Sequence, residues 1–300
     1  MLSLALRITA GVLSLIALLA FGSLALTTLF LADHHQTPRL ISDAHRLALS
    51  GPGAQGAEAA RRFRALYADD IAPEPTSGQM RAYFERQIAD DGPLVLDQVL
   101  ADYIVARWGT IDSRTFPPGV YVGARAIGPD RPPLSWVTQY LAQYALYPRH
   151  GYVLVVDSAS GAGPPTEFSA SRASDFVDDP PDPHRLAIKP EPFQPGAYDF
   201  PGRGQAIHEL FRLTDDPDTI RKTGPELTDL ANGLEATDAR YELFRQNSNT
   251  VLGCMLQASE LHRDNFERLR QDRLVSLRLL AIDRPLWGQP HDHRAQVRCR

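Results

Sequence analysis

Two residues stand where nucleophilic chemistry needs them. His150 opens a short apolar run, and Ser248 lies in Asn247-Ser248-Asn249-Thr250 at the start of an apolar helical pattern. A helix amino terminus presents unpaired N–H groups and a partial positive charge of about +0.5. It favours a developing anion, so its amides can help form an oxyanion hole. A serine there stays a weak nucleophile until a base takes its proton. His150 is the candidate base if the fold brings it within about 3 Å. Ser248 is then the nucleophile, with the Ser248 and Asn249 amides as oxyanion donors. A third polar group would fix the imidazole tautomer. Glu167, on an expected neighbouring strand, is the candidate for that role. A plainer reading stands beside this one. Ser, Asn and Thr are preferred helix caps, so Asn247 to Thr250 could serve as a cap alone.

The elements that must position these residues follow from periodicity and turn chemistry. Residues 119–127 alternate and read as a strand, and residues 149–156 form a short apolar β run. A turn at 161–165 leads to a paired strand at 166–172 carrying Glu167. Pro and Asp crowd residues 178–201, which suggests a long surface loop around a short strand at 185–189. Residues 207–213 are another strand candidate. Thr214-Asp215-Asp216 could cap a short helix, and Leu227, Leu230 and Leu234 give residues 225–237 a helical stripe. Upstream, residues 57–69 and two segments within 79–108 read as helices, and residues 134–146 as an aromatic-rich helix. Helices, then strands, then helices argue for an α+β chain. The expected division is an anchor at 8–32, a linker at 33–56, a helical region at 57–114, an α+β domain at 115–260 and a C-terminal helix with a basic tail at 261–300.

The 300-residue chain can bury a full core, and its 43% hydrophobic and 22% charged residues are ordinary globular values. A net charge of −5 gives no basic footprint, so no nucleic-acid partner is expected. Residues 261–300 alone carry nine arginines against five acids. Lys189 and Lys222 are the only lysines, an arginine bias that suggests a GC-rich bacterial genome. Two cysteines, Cys254 and Cys299, exclude a disulfide-rich scaffold and a four-cysteine metal site. Cys254 reads as a packing residue, and its pairing with Cys299 stays open. His291-Asp292-His293 and His34-His35 have ligand-type side chains in polar settings, and no metal or other cofactor is expected.

Residues 8–32 carry no charge over 25 residues. As a helix they would span about 37 Å, more than the roughly 30 Å hydrocarbon core of a bilayer. The run exceeds the apolar region of a signal peptide. It reads as an uncleaved single-pass anchor, with the bulk of the chain extracytoplasmic at the bacterial inner membrane.

The pair RHGYVLVVD (149–157) and YELFRQNSNTVLGCML (241–256) resembles the circularly permuted, papain-like NlpC-type superfamily. In that arrangement a histidine-led strand precedes the nucleophile helix. The pair is also similar to a bacterial membrane-associated family with a PGPNSNTF-like signature, in which serine replaces the cysteine. The resemblance covers about residues 145–260. It implies a small antiparallel sheet packed against helices, His150 as base, Ser248 as nucleophile and Glu167 at the third position. It also implies amide or ester hydrolysis, or acyl transfer, on a cell-envelope peptide or lipid. This chain departs from thiol members at the reacting atom, because an alcohol does not ionise as a thiol does. Three readings stand: an acyl-transfer enzyme, an inactive module binding envelope peptides or a protein partner, and a structural membrane-tethered protein.

Overall fold

A computed structural model describes residues 52–89, 93–126, 149–158, 163–177, 180–201, 208–236, 239–241 and 247–259. Its architecture is α+β: a six-stranded antiparallel sheet with six helices among the described residues. The elements run α1 (Pro52–Tyr67), α2 (Ser77–Ala89), β1 (Leu94–Leu96), α3 (Gln98–Trp108), β2 (Gly119–Ala126), β3 (Arg149–Val156) and β4 (Thr166–Arg172). They continue with α4 (Ala173–Phe176), β5 (Leu186–Pro192), β6 (His208–Thr214), α5 (Pro217–Glu235) and α6 (Ser248–Ala258). The sheet order is β1-β6-β2-β3-β4-β5. The expected anchor at 8–32, the 134–146 helix and the 261–300 segment lie outside the described residues. No helix among the described residues is long and apolar enough to cross a membrane.

Period-two alternation gives the sheet two buried faces. Val120, Val122, Val153, Val155, Phe168 and Ala170 pack with α5 and α6. Tyr121, Tyr152, Leu154 and Val156 face the other way, against Phe63 of α1, Phe84 of α2 and Leu100 of α3. A sheet covered on both sides reads as continuous apolar runs, and β3 is buried along all eight residues. Gly123 has a specific role in this packing. The Tyr152 ring lies across it, and a Cβ at Gly123 would fall 2.2 Å from Tyr152 Cζ. The vacated space lets the Tyr152 hydroxyl cross strand β2 to His208 Nδ1, 3.0 Å away on β6.

Three expectations for the elements need correction. Among the described residues the first helix starts at Pro52, inside the expected 33–56 linker. Proline suits a first helical turn because its missing N–H has no intrahelical acceptor there. The region 57–114 contains strand β1, with Leu94 and Leu96 paired to Leu210 and His208 of β6. Leu96 was expected on a helix. Asp97 instead caps α3, accepting from Leu100 N at 2.9 Å, so the helix starts just after Leu96. Finally, the expected short helix near Asp216 and the helix from Pro225 form one element. Asp216 caps it, and Pro225 lies inside it. An interior proline costs about 3 kcal/mol. Burial of Ile220, Leu227 and Leu234 against the sheet outweighs this, at about 1.5–3 kcal/mol per side chain.

Candidate active site

The site forms where two strands part. Strand β2 pairs with β3 along Arg149–Val156, whereas the β3–β4 ladder begins only at Tyr152 opposite Ser169. Beyond that rung β4 continues with β5. Into the gap comes the amino terminus of α6. Asn249 Oδ1 accepts from Gly151 N at 2.9 Å, and Asn249 Nδ2 donates to Arg149 O at 2.9 Å. One carboxamide thus occupies the ladder position that β4 vacates, and it fixes the helix end beside His150. Asn249→Ala would leave a buried donor and a buried acceptor unmet, each costing about 1–3 kcal/mol. A loss of about 2–4 kcal/mol in chemical denaturation is expected.

Asn247 is the N-cap. Its Oδ1 accepts from Asn249 N at 2.9 Å and from Thr250 N at 3.2 Å, while Asn247 N donates to Thr250 Oγ1 at 3.3 Å. The cap expectation for Asn247 therefore holds, and the oxyanion expectation for Asn249 is corrected. Its amide is already taken by the cap, and its side chain is taken by β3. Ser248 N–H, the first amide of α6, has no intrahelical acceptor by helix geometry and remains the candidate oxyanion donor.

His150 and Ser248, 98 residues apart, meet: His150 Nδ1 is 3.0 Å from Ser248 Oγ. The other ring nitrogen, Nε2, lies 3.2 Å from Ser169 Oγ and 3.3 Å from Asp199 Oδ2. The Tyr198 ring stands edge-on to the imidazole at 5.6 Å between centroids. His150 and Ser248 are 4% and 5% exposed, and Asp199 is fully buried.

Glu167 does not touch the imidazole, and this corrects its expected role. It pairs with Leu154, four residues along β3 from His150. At about 3.3 Å per residue that is roughly 13 Å of strand. Glu167 supports the actual partner instead, its Oε1 accepting from Asp199 N at 3.1 Å. Asp199 arrives on the segment after β5, where Ala197 N bonds to Gln194 O and Gly196 adopts φ 100°. A positive φ suits glycine, which has no Cβ to clash.

The two carboxyl groups are pushed apart electrostatically. Burial would raise Asp199, but the charges of His150 and Arg125 overcome it and hold the group below the ordinary carboxylate range. Arg125 Nε lies 2.5 Å from Asp199 Oδ1. Glu167 is raised well above its usual value by burial first, then by the charges of Asp199 and Glu191. The two carboxyls are thus shifted in opposite directions, Asp199 toward the ionised form and Glu167 toward the protonated one. His208 is driven down to about 3, by burial and then by the Arg125 charge, and stays neutral. A proton on Nε2 can be donated to Ser169 Oγ and is favoured by the Asp199 carboxylate 3.3 Å away, which leaves the Nδ1 lone pair facing the Ser248 hydroxyl. Ser248 can then donate to His150, the ground-state geometry of a serine activated by a base.

Cys254, two turns into α6, is buried in the core as expected of a packing residue, and it is disulfide-bonded, so it is not a thiol nucleophile. Cys299 lies outside the described residues, as do His34-His35 and His291-Asp292-His293. Among the described residues no cluster of His, Cys, Asp or Glu could hold a metal ion.

Three site residues escaped the sequence reading: Asp199, Ser169 and Arg125. Ser169 left a trace, since Glu167, Ser169 and Ser171 put polar groups on one face of an otherwise buried strand. Asp199 left another, as an acid between Tyr198 and Phe200 in a loop otherwise marked by Pro and Asp. Comparison with protein-family models, with curated proteins and with solved structures finds no match to this chain.

Proposed function

We propose that the chain is a membrane-anchored extracytoplasmic protein whose permuted papain-like domain transfers or hydrolyses an acyl group. Ser248 Oγ attacks an ester or amide carbonyl while His150 Nδ1 takes the hydroxyl proton. Ser248 N–H and the α6 amino terminus stabilise the oxyanion. The imidazolium, steadied by Asp199, returns the proton to the leaving amine or alcohol. Water or a second nucleophile then releases the acyl group from Ser248. A cell-envelope peptide or a lipid acyl chain is the substrate class.

The observation that carries this reading is the 3.0 Å Nδ1–Oγ separation, with Nε2 lying between Ser169 and a buried, Arg-paired carboxylate. The chain order supports the permuted arrangement, since the histidine strand precedes the nucleophile helix. Incubation with activated acyl esters tests it. Wild type is expected to gain one acyl mass, and Ser248→Ala none. Equal acylation of both removes Ser248 as the nucleophile. For the anchor, full-length protein is expected to stay in the membrane pellet after alkaline carbonate extraction. Its appearance in the supernatant contradicts the topology.

One observation favours a second reading, a closed module that binds a partner without turnover. Both reacting side chains are at most 5% exposed. An acylation-inert wild type that keeps its fold supports that module.

A further inference from the structure

We propose that Arg125 is a positioning residue that sets the His150 tautomer by locking Asp199 in place; this rests on the acyl-transfer reading of the same site. Arg125 stands directly opposite His150 in the β2–β3 ladder, so its side chain rises from the same face. Its Nε reaches Asp199 Oδ1 at 2.5 Å, and its guanidinium lies 5.2 Å from the centroid of the Tyr198 ring. Tyr198 immediately precedes Asp199 and stands edge-on to the imidazole. Two consecutive residues of one loop are thereby held by a single strand residue, and both face His150.

The chemistry asks for arginine at this position. A guanidinium is a planar fork that pairs with a carboxylate and stacks on an aromatic ring at once, whereas an ammonium is a point charge. Arg125 is 5% exposed, and a charge so far from water is retained only when paired. Asp199 is held from two sides, by Arg125 at Oδ1 and by Glu167 at its backbone N–H. That leaves Oδ2 directed at His150 Nε2. With Oδ1 engaged by Arg125, the carboxylate cannot turn freely, and its charge stays 3.3 Å from Nε2, which favours the proton on that nitrogen and its donation to Ser169 Oγ. Glu167, His208 and Tyr152 surround this cluster, all fully buried.

Two readouts test the role. The ¹⁵N spectrum of the His150 imidazole reports the tautomer without any turnover. A serine-directed fluorophosphonate reports the reactivity of Ser248. Wild type is expected to show one tautomer with the proton on Nε2. Arg125→Gln should show a tautomer mixture and label on the order of 10²-fold more slowly, the cost of a small misplacement of a reacting group. Because Arg125 acts through Asp199, the double variant Arg125→Gln, Asp199→Asn should label no more slowly than Asp199→Asn alone. A single Nε2–H tautomer with wild-type labelling in Arg125→Gln overturns the proposal. So does a double variant that is much slower than Asp199→Asn. If Arg125→Gln fails to fold, the double variant decides, since it buries neither charge. If wild type does not label at all, the acyl-transfer reading falls, and the imidazole spectrum alone decides the role of Arg125.

Discussion

Asp199→Asn is expected to slow labelling of Ser248 by fluorophosphonate by on the order of 10³–10⁴-fold. The carboxamide can present its NH₂ to His150 Nε2, which then becomes the acceptor. The ring proton moves to Nδ1, where it points at Ser248 Oγ and blocks proton uptake. The loss should appear in the rate while the far-ultraviolet circular dichroism stays that of the wild type. Glu167→Gln makes the matching control. Its oxygen can still accept the Asp199 N–H, and it does not touch the ring. It should label within a few-fold of wild type. The reverse outcome, a slow Glu167→Gln and a normal Asp199→Asn, would return Glu167 to the third position.

The second large effect is on stability, and its sign depends on pH. Glu167 keeps its proton in the folded state well above the ordinary value of 4.5. Above that pH the unfolded chain binds fewer protons than the folded one, so stability falls as pH rises. The slope is about 1.4 kcal/mol per pH unit while the folded group holds its proton and the unfolded one does not. Asp199 behaves oppositely. Its folded pKa lies below the ordinary 3.8, so its contribution is present above that pH and is lost as pH falls below it. These two groups together place the stability maximum near the ordinary carboxylate range. Glu167→Gln removes the alkaline slope. Its melting temperature should match wild type near pH 4 and exceed it increasingly toward neutral and alkaline pH. A gap that stays constant with pH would show that Glu167 is ionised in the folded protein.

The sequence disclosed those parts of the molecule that rest on local chemistry. The strand at 166–172, the strand beginning near 208 and the start of the helix at Ser248 each follow from alternation or capping among adjacent residues. His150 and Ser248 were legible because each opens an element, where a polar residue beside an apolar run is conspicuous. Asp199 was hidden, since its role depends on how the 193–200 segment closes over β4. Nothing within that segment encodes the distance to His150. Glu167 was mistaken for the partner because the β3–β4 register cannot be counted from sequence. The ladder puts Glu167 two rungs too far along the strand, and Ser169 at the rung next to the imidazole. Strand β1 was missed because three residues are too few to show a period, and Asp97 caps the helix directly after it. The Asn249 amide was misjudged for a reason of the same kind. Capping and oxyanion binding compete for the same N–H groups, and only the geometry tells which wins.

The most direct test is the site of reaction with a serine-directed fluorophosphonate on the full-length protein, located by peptide mass spectrometry. A single adduct on Ser248, absent in Ser248→Ala and strongly reduced in His150→Gln, is the expected result. An unmodified Ser248 in folded wild-type protein, or equal labelling when His150 is replaced, would contradict the account.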